Sequence, residues 1–203
     1  MTCEANGMSD ERIGEALIKE VINEALKDMP SEDVAPLTPL AVDVKTEQEQ
    51  KIVFQLGKMI SIIGDKLKDD KEFQDAIDGV ASCSGSKWDR FKEVADKVFQ
   101  HGITWERIVV LIYVASRLAV RMVEAHLPQS VMEILMWTMD FFRNNLLGWI
   151  GDHGGWINSF SELAVLSMQK ASSMSSHRFG LVLIFITGLA LGSFITCSLT
   201  RRL

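Results

Sequence analysis

The chain has 203 residues, 47% of them hydrophobic, with a formal net charge of −6 at pH 7. This length suffices for one medium-sized domain with its own core. The acidic balance, without any basic block, argues against a nucleic-acid partner. The three cysteines, Cys3, Cys83 and Cys197, are too few and too far apart for a disulfide framework or a zinc site. We therefore expect a reducing compartment and no metal, and the polar, acidic N-terminal stretch does not resemble a secretory signal.

The first 50 residues are predicted to form an N-terminal helix followed by a flexible linker. Ser9 is placed to cap a helix whose apolar residues recur every three or four positions. Residues 28–50 hold three of the four prolines and many acidic side chains, a composition typical of a linker. The helical core is expected to span residues 51–170, and residues 171–178 form a second linker.

A further helix is predicted from about Thr46 to Asp70. Its apolar stripe recurs at helical spacing and consists of Leu56, Ile60, Ile63 and Leu67. Gly64 and Asp65 interrupt this stripe, although glycine inside a helix costs about 1 kcal/mol relative to alanine. We infer that another helix comes very close at Gly64 and that a basic group meets Asp65. The alternative interpretation is a surface helix with a tolerated glycine.

The most apolar segment before the C-terminus is predicted to be a buried helical hairpin. Ile108–Val120 is apolar on nearly every side, as in helices that other helices surround. The uncharged part between Arg107 and Arg117 is too short to span a membrane. Ser130 and Glu133 have the spacing of a capping box, which predicts the start of a second helix that continues to Leu147.

Shorter helices are expected on both sides of this hairpin. Phe73–Ile77 is predicted to form a short turn or helix, and Ser86 and Asp89 have capping-box spacing at the start of another. Residues 148–160 are rich in glycine and tryptophan and suggest short, angled helices. Because no strand pattern is visible, we predict an all-α bundle of eight or nine helices around a central hydrophobic hairpin.

The C-terminal residues Phe179–Thr200 contain no charged side chain and are apolar on every face. Such a segment is long enough to cross a bilayer core of about 30 Å, so we predict a single-pass C-terminal anchor. A buried core helix is the alternative. Small residues recur every four positions at Gly188, Gly192, Thr196 and Thr200, a spacing that permits close helix contact in lipid.

Motifs of enzyme chemistry are absent from the sequence. The four histidines form no H-E-x-x-H pattern, and there is neither a G-x-S-x-G elbow nor a phosphate-binding loop. Asp152 and His153 stand next to glycines, but a capped loop explains them better than an acid–base pair does. We therefore expect a protein that is not an enzyme, with no catalytic residue and no cofactor.

Three segments resemble the homology motifs of the B-cell lymphoma two (Bcl-2) family of apoptosis regulators. Leu56–Leu67 resembles the third motif, His101–Val120 the first, and Trp137–Trp156 the second. They occur in the order usual in that family and precede an apolar tail. The resemblance covers most of Val53–Leu203, and within the family these segments look most similar to the pore-forming effectors.

The resemblance implies roles for individual residues. The third motif would bind a partner through Leu56, Ile60, Ile63, Gly64, Asp65 and Leu67. A receiving groove would be lined by Trp105, Arg107, Val110 and Leu111. The second motif would comprise Trp149, Asp152, Gly154, Gly155 and Trp156. Where the family usually has Asn-Trp-Gly-Arg, this chain has Thr104-Trp105-Glu106-Arg107, so Glu106 adds bulk and negative charge at the groove.

The function that the resemblance implies is that of a pro-apoptotic effector. Such a protein rests in the cytoplasm or loosely on membranes, then inserts into the mitochondrial outer membrane, oligomerises and permeabilises it. The implied partners are Bcl-family proteins that bind through amphipathic helices, a second copy of the chain, and the membrane. We expect Asp65 to meet Arg107, within the closed monomer or between copies. The alternatives are a pro-survival relative that sequesters death-motif helices, a tail-anchored enzyme, and localisation to the endoplasmic reticulum.

Overall fold

The computed structural model describes residues 2–27, 29, 44–68, 71–82 and 86–168. The α-helices in these residues are α1 (Thr2–Leu26), α2 (Glu47–Lys68), α3 (Lys71–Ser82), α4 (Lys87–Val98), α5 (Trp105–Glu124), α6 (Gln129–Phe141), α7 (Leu147–Asp152) and α8 (Gly155–Met168). A π-helical turn, Phe142–Leu146, joins α6 to α7. The described residues contain no strand, and the predicted all-α class is confirmed.

The central element is α5, which contacts α1, α2, α3, α4, α6 and α8. Most of its side chains are buried, as the apolar run Ile108–Val120 predicts. Thr104 caps its start, because the hydroxyl oxygen accepts a hydrogen bond from the backbone N–H of Arg107 at 3.3 Å. Helix α6 follows after a short turn and packs against α5, so the predicted hairpin is present.

Two predicted helix caps are wrong, and one is confirmed. Ser9 lies inside α1, where its hydroxyl donates a hydrogen bond to Glu49 instead of capping a helix. Ser130 is buried inside α6, which begins one residue earlier, at Gln129, without a side-chain cap. The cap at Ser86 is confirmed, because its hydroxyl accepts from the backbone N–H of Asp89.

The second hairpin helix is shorter than predicted because the π-helical turn interrupts it. In this turn Phe142 packs directly on the backbone of α1 at Gly14, where an added Cβ would lie 2.7 Å from the ring atom Cε1. The neighbouring Arg143 forms ion pairs with Glu11 and Glu15 of α1. The π-helical turn therefore brings the ring of Phe142 and the guanidinium of Arg143 into contact with α1.

Helices α1 and α2 lie side by side and run in the same direction. Ser9 contacts Glu49 near the start of α2, whereas Gly57, halfway along α2, faces Glu20. Farther along, Glu24 of α1 and Ile62 of α2 border the same shallow groove. This parallel pair fixes the position of the candidate third motif on the bundle.

No helix within the described ranges is both long and apolar enough to cross a membrane. The predicted anchor lies outside the described residues, together with its four assigned positions, Phe179, Gly188, Gly192 and Thr200. The second linker, residues 171–178, lies outside them too.

Candidate functional site

The apolar stripe of α2 is buried within its own protein. Leu56, Ile60 and Ile63 have no exposed surface, and Leu67 is also buried. Burial of each such side chain contributes about 1.5–3 kcal/mol. The stripe belongs to the same apolar core as α5, so in this conformation α2 does not present it to a partner.

Gly64 packs against the aromatic ring of Tyr113 on α5. A Cβ added at Gly64 would overlap this ring, with the ring atom Cζ only 3.0 Å away. Phe73 of α3 stacks on the same tyrosine, with ring centroids 5.8 Å apart. The close helix approach predicted at Gly64 is therefore present. Its partner could not be identified from the sequence, where the only clue was a single tyrosine within a buried apolar run.

Asp65 is exposed and does not pair with Arg107 in this conformation. Burial raises the pKa of the Tyr113 hydroxyl, the charge of Arg117 lowers it, and the charge of Asp65 raises it. Asp65 thus faces the part of α5 near Tyr113, about 9 Å along the helix from Arg107. Arg107 instead donates a hydrogen bond from Nη1 to the carbonyl of Gly102 at 2.7 Å. Within the described residues, the internal form of the expected Asp65–Arg107 contact is not made.

The residues assigned to the groove are largely covered. Val110 and Leu111 are buried, and Trp105 packs between two other tryptophans. Its ring centroid lies 5.2 Å from that of Trp149 and 5.5 Å from that of Trp156. Three of the four assigned groove residues are therefore inaccessible to a ligand in this conformation, and Arg107 alone of the four is partly exposed. Glu106 is also buried, so its expected charge is not displayed on the surface.

The second motif is attached to α1 through Asp10. Trp156 donates to this residue twice, from the backbone N–H to Oδ1 at 3.1 Å and from the indole Nε1 to the carbonyl at 2.9 Å. Gly154 and Gly155 both have positive φ, and a Cβ at Gly155 would lie 2.7 Å from Oδ1 of Asp10. Burial raises the pKa of the Asp10 carboxyl, and the hydrogen bond from Trp156 offsets part of that rise. Asp152 is exposed.

The N-terminal end of α2 is attached to α1 through Glu49, a residue that lies where the predicted linker and the predicted helix overlap. Its Oε1 accepts from the Ser9 hydroxyl at 3.0 Å and from Nη2 of Arg12 at 2.6 Å, and its Oε2 accepts from the Lys45 backbone N–H at 2.8 Å. Burial alone would raise the pKa of the Glu49 carboxyl. The hydrogen bonds from Arg12, the Lys45 amide and Ser9 nevertheless lower that pKa to about 2. We refer to these four residues as the Glu49 clamp.

A cavity of about 620 Å³ lies between the first parts of α1 and α2 and the turn between α7 and α8. The buried carboxylates Asp10 and Glu49 both border it. The buried apolar residues Ile13 and Ile52 border the cavity as well, so hydrogen bonds and apolar packing both attach this end of the bundle. In the part of the chain that the structure describes, no group of His, Cys, Asp and Glu side chains is arranged to hold a metal ion.

Residues 60–156 match the family model described as "Apoptosis regulator proteins, Bcl-2 family". Among curated proteins, the chain is 38% identical to Apoptosis regulator BAX of Bos taurus over 50% of this chain and 53% of that protein. It is 36% identical to the Homo sapiens BAX over 59% and 58%, respectively. Identity to Bcl-2-like protein 1 of Homo sapiens is 26%, over 62% of this chain and 52% of the relative. The matches thus span little more than half the length of these relatives.

Solved structures share the helical fold. The chain matches Trichoplax adhaerens trBcl-2L2, in a crystal structure described as bound to trBak BH3, with a TM-score of 0.63 and 22% identity. This match covers 75% of the chain and 98% of that structure. Chicken BOK matches with a TM-score of 0.57 and 24% identity, over 79% of the chain and 98% of that structure. At these identities the similarity establishes the fold.

Proposed function

Because the chain belongs to the Bcl-2 family of apoptosis regulators, we propose that it is a Bax-like effector that oligomerises and permeabilises the mitochondrial outer membrane. Its similarity to the BAX proteins of Bos taurus and Homo sapiens supports this assignment. The proposed role is one of helix exchange and membrane disruption and involves no enzymatic reaction. At rest the protein is cytoplasmic or loosely attached to membranes.

The observation that carries the proposal is the way in which α2 packs in the closed protein. Its apolar stripe is buried against its own core, and Gly64 allows the ring of Tyr113 to lie directly on the helix. The groove of a second copy offers the same apolar burial, about 1.5–3 kcal/mol for each large side chain. Because the chain's own core and the groove of a second copy bury the stripe to a similar extent, small differences in other contacts decide which of the two α2 occupies.

The hairpin of α5 and α6 has the character of a segment that lies in a membrane interface. Charged residues interrupt the apolar surface of α5, α6 and the π-helical turn, and they include Arg107, Arg117, Arg121, Glu133 and Arg143. A stable membrane-spanning channel would not carry so many charges against lipid. An opened hairpin that lies apolar side down accommodates them and wedges lipids apart, with Trp137 and Trp149 at headgroup depth. In this proposal residues 179–200 anchor the protein in the mitochondrial outer membrane.

The second candidate is a pro-survival protein that sequesters death-motif helices in its groove. The identity to Bcl-2-like protein 1 and the similarity to a structure described as bound to a BH3 segment favour it. Trp105, Val110 and Leu111 are buried in the closed protein, so the groove must open before a helix can bind there in either candidate. Partners through amphipathic helices are common to both candidates, whereas a homo-oligomer in the membrane belongs to the effector.

Dye release from liposomes distinguishes the two candidates. The full chain is added to liposomes with the lipid composition of the mitochondrial outer membrane, with and without a synthetic peptide of residues 46–70. The effector predicts peptide-dependent release and crosslinked oligomers, both absent when Gly64 is changed to Glu. Tight peptide binding without release would overturn the effector in favour of the pro-survival protein, and absence of both binding and release would contradict both.

A further inference from the structure

The Glu49 clamp is a fully satisfied buried carboxylate at the junction of two helices. Glu49 is 5% exposed and accepts hydrogen bonds from two side chains of α1 and from the backbone just before α2. A charged acceptor with three donors forms stronger bonds than a neutral one does. Removal of the charged partner, Arg12, would leave a buried carboxylate without an opposite charge, which is strongly unfavourable.

The Glu49 clamp consists of directional hydrogen bonds, whereas the rest of the contact between α1 and α2 is largely apolar and can be replaced by another apolar surface. Halfway along the pair, Gly57 has only ordinary contacts, at 3.6 Å with Glu20 and 4.0 Å with Leu17 for an added Cβ. Apolar contacts are non-directional, so another apolar surface can substitute for them. Two of the three donors to Glu49, Ser9 and Arg12, are side chains of α1, and their hydrogen bonds are directional. Glu49 therefore favours packing of α2 on α1 over a host, such as the groove of a second copy, that does not place Ser9 and Arg12 beside it.

We propose that Glu49 is a positioning residue that holds the N-terminal half of α2 on α1 and sets how readily α2 is released. The proposal rests on the proposed function, in which α2 leaves its own core to exchange with a second copy. Release then begins at the clamp, which borders the cavity at this end of the bundle.

The test measures opening of α2 in the full chain without membrane or activating peptide. In the variant Glu49→Gln, hydrogen–deuterium exchange of the backbone amides of residues 50–60 should become at least tenfold faster. Exchange in α5 should remain within about twofold of the original. Ser9→Ala removes one donor and should give a smaller acceleration, which Ser9→Thr reverses because the hydroxyl is restored.

The matched control breaks an ion pair of α1 that does not involve α2. Glu15 pairs with Arg143 of the π-helical turn, so Glu15→Gln should leave exchange in residues 50–60 within twofold of the original. Equal acceleration by both variants would indicate that α2 responds to any loosening of α1, and the assignment of Glu49 would be overturned.

Dye release provides the second measurement and separates this proposal from the proposed function. Glu49→Gln should lower the peptide concentration for half-maximal release about tenfold. Unchanged exchange in residues 50–60, or an equal acceleration throughout the protein, overturns the positioning role whatever the liposomes show. Selective acceleration without dye release from either protein supports the positioning role and overturns the effector function.

Discussion

The two ends of α2 are held in the bundle by different physical means. Its N-terminal end is fixed by hydrogen bonds around the buried carboxylate of Glu49, next to a cavity. Its C-terminal end is fixed by shape, since Gly64 leaves no room between the helix and the ring of Tyr113. The hydrogen bonds depend on donors that α1 places beside Glu49, whereas an apolar surface elsewhere can reproduce much of the second contact. One helix thus carries both a specific attachment and a transferable one.

The largest expected effect comes from filling the space at Gly64. Gly64→Ala places a methyl group inside the Tyr113 ring, so the free energy of unfolding should fall by about 3 kcal/mol, the upper range for overpacking. Urea denaturation of the full chain measures this change. Gly57→Ala is the matched control, because its Cβ meets only ordinary contacts and alanine favours the helix by up to about 1 kcal/mol. Similar losses in both variants would show that close packing is not confined to Gly64.

The hydrogen bonds of Glu49 at the N-terminal end of α2 should make the free energy of unfolding depend on pH. The folded pKa of Glu49 is lowered from its ordinary value of 4.5 to about 2. Its stabilising contribution is therefore present above pH 4.5 and is lost as the pH falls through about 2. Glu49→Gln should lower the free energy of unfolding by about 2 kcal/mol at pH 7 and by progressively less below pH 4. A difference that does not vary with pH would contradict a charged clamp.

Asp10, the other buried carboxylate at this end, should behave in the opposite way. Its folded pKa is raised above the ordinary 3.8 by burial, so the original protein loses stability as the pH rises through that folded pKa. Asp10→Asn keeps an acceptor for the Trp156 N–H without the charge. We expect a change within about 1 kcal/mol that favours the variant at neutral pH and fades below pH 3.8. Thermal unfolding at pH 3 and pH 7 tests the sign.

The smallest effect on folding is expected at Asp65, which is exposed and unpaired with Arg107 in the closed protein. Asp65→Arg should change the free energy of unfolding by less than about 0.5 kcal/mol. In the proposed dimer the same change sets like charges against Arg107, so crosslinked dimers should decrease. Combining it with Arg107→Asp should restore part of the dimer yield. If dimers form normally in the single variant, the pair has no role in exchange.

The parts of the fold that follow from periodicity could be predicted from the sequence. The stripe at Leu56, Ile60 and Ile63 is buried, and Ile108–Val120 lies at the centre of the bundle, because helical spacing alone determines which side of a helix is apolar. Gly64 indicated a close approach for the same local reason. The contact of Gly64 with Tyr113 could not be predicted, because the spacing of residues along one helix does not indicate which residue of another helix they contact.

The polar attachments could not be predicted for a related reason. Glu49 and Asp10 are single acidic residues within polar stretches, where the sequence gives no indication of burial. Ser9 shows the same ambiguity, since a serine near an apolar run suits a helix cap equally well as a tertiary hydrogen bond. Ser9 forms the tertiary hydrogen bond because Glu49, 40 residues away in the sequence, packs next to it.

The parallel arrangement of α1 and α2 places the end of α1 far from the start of α2. The distance from Ser9 to Leu26 along α1 is about 25 Å, whereas the chain from Met29 to Val44 can reach about 50 Å when extended. The start of α2 can therefore leave its place by several nanometres while α1 stays docked. In the proposed release of α2, a covalent connection of this length would keep the helix at an effective concentration in the millimolar range near its original site. In dilute solution rebinding to its own chain outcompetes a second copy, and crowding on a membrane surface is one way to reverse that preference.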